Sequence, residues 1–338
     1  GRYDIYQFFL EEGLNLTLLG GYYSQILSNT ILTNRDTTEL RQYLTTEQQI
    51  KNIMNLRSRV FPEAVVETCI LIVEKSLPER DTETSVGDIY NIDDLSRKQL
   101  AIAQHKFLSI YQNRFLIHLQ SASLNILQKI DRKSCALEDI AVIYLGIQTW
   151  GNKKYISKLS LDSEWKRLIG ASDFQRYELK PEKELYFKIS SESVKSGGYK
   201  DNYLKPQKIL VPLIGSKLKA AIDDKQFYVL NTANIIFSKS LSIKNEFLLA
   251  ILNSKIMSYY HSNMFTDYRS AFPIIQNVHV KALSIRCISF TTSQDKRKRL
   301  FEEAKEFYEN YLKSSNWDSI LFFVQQRLLA KPEESDVV

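Results

Sequence analysis

At 338 residues, with 44% hydrophobic and 25% charged side chains, the chain has the make-up of a globular protein of about two domains and is too apolar for a disordered one. No apolar run approaches the roughly 18 residues of a membrane-spanning helix, and the start, with Asp4, Glu11 and Glu12, lacks the basic-then-apolar layout of a secretion signal; a cytoplasmic protein without a membrane partner is expected. The net charge of +6 is uneven: residues 134–290 hold 22 Lys/Arg against 14 Asp/Glu, whereas 1–133 hold 15 against 16 and 291–338 hold 8 against 9. Such a segment suits a polyanion partner, or an ordinary solvated surface.

From Asp4 to Leu19 apolar residues recur at three- and four-residue spacing, which predicts an amphipathic helix stopped by Gly20-Gly21. Tyr22–Leu27 then reads as a strand, Thr38–Leu44 as a short helix, and Ile50–Leu56 and Val65–Val73 as two strands, the second aliphatic enough to be buried on both faces. Between these strands Arg57–Ala64 forms the loop of an antiparallel hairpin, with Phe61-Pro62 at its tip. Position alone makes Phe61 either a core aromatic tucked under a loop or a presented ring. Helix, strand, helix, strand is half of a doubly wound α/β sheet.

Residues 76–96 are polar and charge-rich, with Pro78 and Gly87, and predict the end of that sheet. Beyond them Leu95–Gln104 looks helical, Phe107–Tyr111 and Phe115–Leu119 strand-like, and Ala122–Ile130 helical. The expected organisation is an α/β segment at 1–80, a connector at 81–133, a segment at 134–290 whose α+β fold is implied by the second resemblance given below, and helices with a tail at 291–338. Lys296–Arg299 precedes Glu302, Glu303, Glu306 and Glu309 on a helical pattern, so pairing three or four residues apart is the expected role of those cations. Cys69, Cys135 and Cys287 lie far apart with no Cys-x-x-Cys; neither a disulfide framework nor a zinc knuckle is predicted, and Cys69 falls in the apolar run as a core residue.

Gly20-Gly21 before a strand, Leu40-Arg41 in the next helix, Val60-Phe61-Pro62 and the Val65–Val73 strand follow the order found in the rear half of DNA adenine-N6 methyltransferases, which this stretch resembles. Asp4-Ile5-Tyr6 resembles the motif that follows their catalytic loop. The resemblance implies a Rossmann-like half sheet and gives Phe61 the role of stacking on the adenine flipped from the duplex. That family binds S-adenosylmethionine through a Gly-rich turn and holds the target amine with an Asn/Asp-Pro-Pro-Tyr loop, and neither motif is present in these residues. The expectation is a fragment of a longer enzyme, with Gly1-Arg2 either native or a cloning remnant. Such a fragment is expected to be inactive alone and to contain no catalytic, cofactor-binding or metal-binding residue, with S-adenosylmethionine serving the full-length parent.

A second resemblance starts at Leu137–Ala141 and Gly146-Ile147-Gln148-Thr149-Trp150-Gly151-Asn152-Lys153-Lys154-Tyr155-Ile156, which looks like the opening of a TaqI-like target-recognition domain, with Trp150 where the first Gly of Gly-Ile-x-Thr-Gly-x-Asn is usual. Lys205–Pro212, Leu249–Lys255 and an exit strand at Gln276–Arg286 fit the same pattern. It implies double-stranded DNA as partner and assigns DNA contacts to Trp150, Asn152, Lys153, Lys154, Tyr155, Lys205 and Lys208. Lys158, Lys217 and Lys219 are further cations for phosphates, Tyr199 and Tyr203 further aromatics, and Gln148, Asn152, Asn202, Arg269 and Gln276 carry suitable groups for base edges.

No two-His metal spacing, Gly-x-Ser-x-Gly elbow or phosphate-binding Gly-x-x-x-x-Gly-Lys is present. The leading expectation is the rear of a site-specific adenine-N6 methyltransferase of a restriction-modification system, partnered by the missing N-terminal half or a restriction subunit. The alternative is a non-catalytic DNA-binding specificity or assembly subunit.

Overall fold

The computed structural model describes residues 4–57, 67–97, 99–197, 200–215, 217–240, 243–265, 274–286, 293–295, 298, 299, 302, 303, 305, 306 and 309. It is a mixed α/β structure with several sheets, divided into two compact units: Gly1–Lys129 with Asn263–Ser270, and Ile130–Ser262 with Ala271–Val338.

The first unit opens with α1 (Ile5–Leu16), β1 (Tyr22–Ser28), α2 (Thr38–Glu47), β2 (Gln49–Leu56) and β3 (Thr68–Glu74). β2 and β3 pair antiparallel, as the hairpin reading requires, and β3 also pairs antiparallel with β1, so β1 and β2 run the same way. Burial on β3 alternates: Cys69, Leu71 and Val73 are buried while Ile70 and Ile72 are half-buried, because only one face of the sheet is covered. Cys69 is a core residue whose thiol burial pushes to a higher pKa.

The sheet does not end at the polar stretch. β4 (Glu83–Ile89) adds parallel to β2 and β5 (Leu100–Ala103) antiparallel to β4, giving the order β1-β3-β2-β4-β5. Thr84, Val86 and Ile89 point into the core from a strand whose other residues are polar or glycine. The predicted helix over Leu95–Gln104 is thus replaced by a short 3-10 turn at Ile92–Ser96 and by β5. Phe107–Tyr111 and Phe115–Leu119, expected as strands, are instead 3-10 turns at Gln104–Ser109 and Tyr111–Asn113 followed by irregular chain, with Phe107, Phe115, Leu116, Ile117 and Leu119 buried. The chain reverses there through Gln112 (φ 55°) and Asn113 (φ 52°), both left-handed.

Arg41 on α2 holds that reversal. It is fully buried and donates to the carbonyls of Gln112 (2.8 Å), Asn113 (3.0 Å) and Ile31 (2.7 Å) and to the Thr37 and Thr38 hydroxyls. Burial and the neighbouring Arg114 lower its pKa to about 9, still above neutrality, so a cation faces the carbonyls. The helix expected at Ala122–Ile130 is α3 (Ser121–Asp131).

The second unit comprises β6 (Ser134–Ala136), α4 (Leu137–Ile140), β7 (Ala141–Leu145), β8 (Gln148–Thr149), α5 (Asn152–Tyr155), β9 (Ile156–Ser157), β10 (Trp165–Ile169), β11 (Tyr186–Lys188), β12 (Val194–Ser196), α6 (Lys200–Tyr203), β13 (Lys208–Pro212), β14 (Ala221–Asp223), β15 (Tyr228–Val229), β16 (Ala233–Ser238), α7 (Asn245–Leu252), α8 (Lys255–Met264), α9 (Asn277–Lys281) and β17 (Ser284–Arg286). Its sheets run β14-β13-β16-β7 and β15-β10-β11-β9, with two-stranded ribbons β12-β8 and β17-β6. The exit strand is shorter than expected, since α9 occupies its first half.

Phe247 to Leu252 of α7 are all buried, and Asn253 just beyond them works like one more strand residue: its side-chain amide donates to the Ala220 carbonyl (2.8 Å) and its carbonyl oxygen accepts from the Ala220 N–H (3.0 Å). That contact explains a polar residue at the end of an apolar motif. Cys135 is disulfide-bonded, which the spacing of the cysteines did not predict. Arg299 pairs with Glu303 at 2.8 Å, the four-residue pairing expected of the Lys296–Arg299 run, and Lys305 lies 3.9 Å from Glu309. Among the described residues no helix is long and apolar enough to cross a membrane.

Candidate nucleic-acid interface

The Gly146–Tyr155 motif emerges from the core of the second unit at one residue, Ile147. Its side chain is fully buried among Leu168, Phe187, Tyr203, Leu230 and Ile235, a burial that contributes about 1.5–3 kcal/mol. Its backbone is locked on both sides, the N–H to the Val229 carbonyl (3.0 Å) and the carbonyl to the Asn231 N–H (2.7 Å). To reach this position the chain passes against the Leu230 backbone, where a Cβ on Gly146 would lie 2.1 Å from the Leu230 oxygen and 2.7 Å from that of Val229. Gly197, at φ +79°, closes on the Gly146 carbonyl from the other side.

Gly151 is different. Its backbone is extended and a Cβ there would meet nothing within 4 Å. The glycine that the motif cannot lose is therefore Gly146. Gly146→Ala is expected to cost about 1–3 kcal/mol or more by forcing backbone apart, while Gly151→Ala stays within about 0.5 kcal/mol, read as urea midpoints of the two variants.

Beyond Ile147, β8 pairs antiparallel with β12 as a two-stranded ribbon, Gln148 opposite Ser196 and Thr149 opposite Val194. The turn feeding β12 is fixed by Ser193, fully buried, whose hydroxyl donates to the Lys188 carbonyl at 2.6 Å and accepts from the Ser190 N–H at 2.9 Å, while its own carbonyl receives the Trp150 N–H at 3.2 Å. Trp150 is thereby held by its backbone while the residue stays 66% exposed. The Lys195 ammonium sits 5.0 Å from the centre of that ring, and the Ser196 hydroxyl donates to the Gln148 side-chain oxygen at 3.2 Å. An exposed indole beside a cation and an amide-hydroxyl pair on a ribbon is chemistry that stacks on bases, neutralises phosphate and reads base edges.

The other sequence-predicted residues divide. Lys154 is exposed and its ammonium lies 5.4 Å from the half-buried Tyr155 ring; Lys205 is exposed and lies 5.2 Å from the Phe237 ring. Asn152 and Lys153 belong to α5, and their side chains lie outside the described residues. Lys208 is a correction. It is fully buried, 2.5 Å from the equally buried Asp223, and donates to the Tyr203 carbonyl at 3.2 Å, so it cannot serve a phosphate. Burial lowers its pKa and Asp223 works against that shift. Tyr203 is also core: it stacks on Tyr228 with ring centres 4.2 Å apart and donates to the Val229 carbonyl, with burial raising its pKa. Lys195 and Ser196, which the sequence reading did not single out, join Trp150 and Gln148 on the β8-β12 ribbon, their only signal a Lys-Ser pair before Gly197, and the Arg167 guanidinium lies 5.4 Å from the Tyr186 ring centre.

Phe61 lies outside the described residues, but both stems of its loop are clamped. At the β2 end the Arg57 N–H reaches the Ile89 carbonyl (2.9 Å) and its guanidinium meets both oxygens of Asp88, at 3.0 and 3.1 Å. Burial opposes that cation, yet the bond and charge of Asp88 win and raise its pKa. At the β3 end Asn29 donates to the Glu67 carboxylate (3.2 Å) and to Asn55 (3.2 Å), and Asn55 in turn donates to Asp88 (2.8 Å). One polar network joins the two stems.

Residues 1–61 match the Eco57I restriction-modification methylase family model and residues 166–285 the TaqI-like C-terminal specificity domain. No curated protein matches the sequence. Among solved structures, the type IIL restriction-modification enzyme MmeI in complex with DNA is similar over 97% of this chain and 46% of its own, with 9% identity and a TM-score of 0.50. The type IIG restriction endonuclease BpuSI is matched over 90% of this chain and 44% of its own (12% identity, TM-score 0.39), and the type ISP enzyme LlaGI, a nuclease-deletion mutant with a DNA substrate mimic, over 91% and 31% (13% identity, TM-score 0.47). The chain spans less than half the length of each of these structures. In chain order, then, one stretch is similar to a restriction-modification methylase and a later one to a TaqI-like specificity domain.

Proposed function

We propose that the chain is the rear part of a site-specific, S-adenosylmethionine-dependent DNA adenine-N6 methyltransferase of a restriction-modification system, acting in the cytoplasm. The first unit supplies the rear half of a Rossmann-like sheet and presents Phe61 to the flipped adenine; the second reads double-stranded DNA. The observation that carries this reading is the order of the two family matches, methylase on the first unit and specificity domain on the second. The parallel direction of β1 and β2, with a helix between them, supports the Rossmann assignment. In this reading the groups that hold the donor and free the amine lone pair lie elsewhere in the enzyme. This chain contributes base stacking, orientation by the clamped loop, and DNA contacts from Trp150, Asn152, Lys153, Lys154, Tyr155, Lys195 and Lys205.

The direct test is transfer of labelled methyl to duplex DNA by the complete enzyme. Phe61→Ala is expected to lower kcat/KM by about 1–3 kcal/mol, roughly 5- to 150-fold, the range for losing one base-aromatic stack. Unaltered transfer removes Phe61 from the site.

DNA binding is tested separately by salt titration. Lys154→Gln and Lys195→Gln are each expected to reduce the slope of log K against log salt by about 1, and Trp150→Ala to weaken binding with the slope kept. DNA binding with these slopes but no methyl transfer by any longer form of the protein favours the non-catalytic specificity subunit.

A further inference from the structure

The β8-β12 ribbon is irregular at one residue. Thr149 sits opposite Val194 and Gln148 opposite Ser196, so one step along β8 is matched by two along β12, and Lys195 is the extra residue of a β-bulge. A bulge kinks its strand and re-aims the side chain it inserts. Here the Lys195 ammonium comes to lie 5.0 Å from the centre of the Trp150 ring, while Ser196 stays across from Gln148 and donates its hydroxyl to Gln148 Oε1 at 3.2 Å. Lys195 and Ser196 are exposed and Gln148 is half-buried.

A hydrogen bond at so exposed a place adds little to stability, because water would serve both partners. What it fixes is the direction of the amide. With Oε1 turned to Ser196, the amide nitrogen is presented on the other side and donates to nothing among the described residues, and Oε1 keeps a second lone pair. The ribbon thus offers one donor and one acceptor side by side. In the major groove adenine presents the complement, the N6 donor next to the N7 acceptor, whereas guanine presents two acceptors there. That groove admits a two-stranded ribbon, and the narrower minor groove shows A·T and T·A alike. We infer that the bulged ribbon enters the major groove and that Gln148 is a specificity-determining residue, its amide reading N6 and N7 of an adenine, with Ser196 as the positioning residue of that amide. Trp150 and Lys195 flank the reader with an aromatic face and a cation. The inference rests on the second unit being the part that reads DNA, as proposed above.

The test uses the complete enzyme and a pool of random-sequence duplexes, from which selection gives the preferred site of the parent and of each variant. Every adenine of the parent's site is then replaced singly by 7-deazaadenine, which lacks the N7 acceptor. At one position Gln148→Ala is expected to lose its preference for adenine by roughly 5- to 150-fold, and 7-deazaadenine there to weaken the parent but not the variant. Gln148→Glu, which keeps the size of the side chain, is expected to move the preference at that position from adenine toward cytosine, whose N4 donates to a carboxylate. Ser196→Ala is expected to lose part of the same preference with the salt slope kept, and Ser196→Thr to restore it; a contact that only holds the ribbon together would weaken all positions alike. Unchanged preferences in Gln148→Ala and Gln148→Glu, a 7-deazaadenine effect that persists in Gln148→Ala, or a parent site without adenine overturn the inference and leave the DNA-reading assignment standing. A parent that selects no sequence overturns that assignment and the inference with it.

Discussion

Arg41→Met is expected to destabilise the first unit by about 3–5 kcal/mol, the effect of stripping buried carbonyls of a charged donor. Three backbone oxygens, those of Ile31, Gln112 and Asn113, accept from this one guanidinium, with the Thr37 hydroxyl a second, longer donor to Ile31, and the Arg41 side chain is fully buried. Two of the three belong to consecutive left-handed residues, each a conformation that costs an ordinary side chain on the order of 1 kcal/mol. Remove the donor and the reversal at 112–113 loses what offsets its strain. Arg41→Lys is expected to recover less than half of the loss, because one ammonium cannot span carbonyls arrayed around a planar fork. Urea unfolding followed by circular dichroism reads both variants, and a midpoint for Arg41→Met within error of the parent would show that the turn stands without it.

The same residues show where sequence reading succeeds and where it stops. α1, α2, β1, β2 and β3 were legible because each buries one stripe or run of apolar residues against a polar remainder, and period alone separates helix from strand. β4 was not. Its buried positions, Thr84, Val86 and Ile89, are diluted by Glu83, Ser85, Gly87 and Asp88, and what makes it a strand is the ladder offered by β2, which no local pattern encodes. The opposite error occurred at Phe107–Leu119, where consecutive apolar residues look like a strand yet are buried by turns. Burial says that a residue is inside, not which backbone it pairs with, and the Arg41 donor that permits those turns is about 70 residues away.

The candidate interface followed the same division. Trp150, Lys154 and Lys205 are exposed. Lys195 was passed over because its value comes from the ribbon pairing that sets it over Trp150, a contact between residues far apart in sequence. For Gly146 and Gly151 the sequence offered two glycines of equal standing, and only the close approach of the Leu230 backbone tells them apart.

Lys208 is the sharpest case of a residue type misleading about its role, and it yields the second large effect. Lys208 opens β13, whose five residues are all buried, and sits directly opposite Asp223 at the end of β14. With neither side chain exposed, the pair has no solvent to share its charges with. Lys208→Met and Asp223→Asn are each expected to cost about 3–5 kcal/mol, since either leaves its partner charged and alone in the core. The double variant K208M/D223L is expected to recover most of that loss and to give a strongly favourable coupling in the double-mutant cycle, because two apolar side chains of similar size need no partner. The discriminating measurement is DNA binding by the folded double variant. A lysine that contacts phosphate takes about one unit from the salt slope when removed, as predicted for Lys154 and Lys195, whereas a lysine that only holds β13 to β14 leaves the slope where it was. A slope reduced by about one unit in K208M/D223L would mean that the strand opens on DNA and frees the ammonium; an unchanged slope keeps Lys208 in the core.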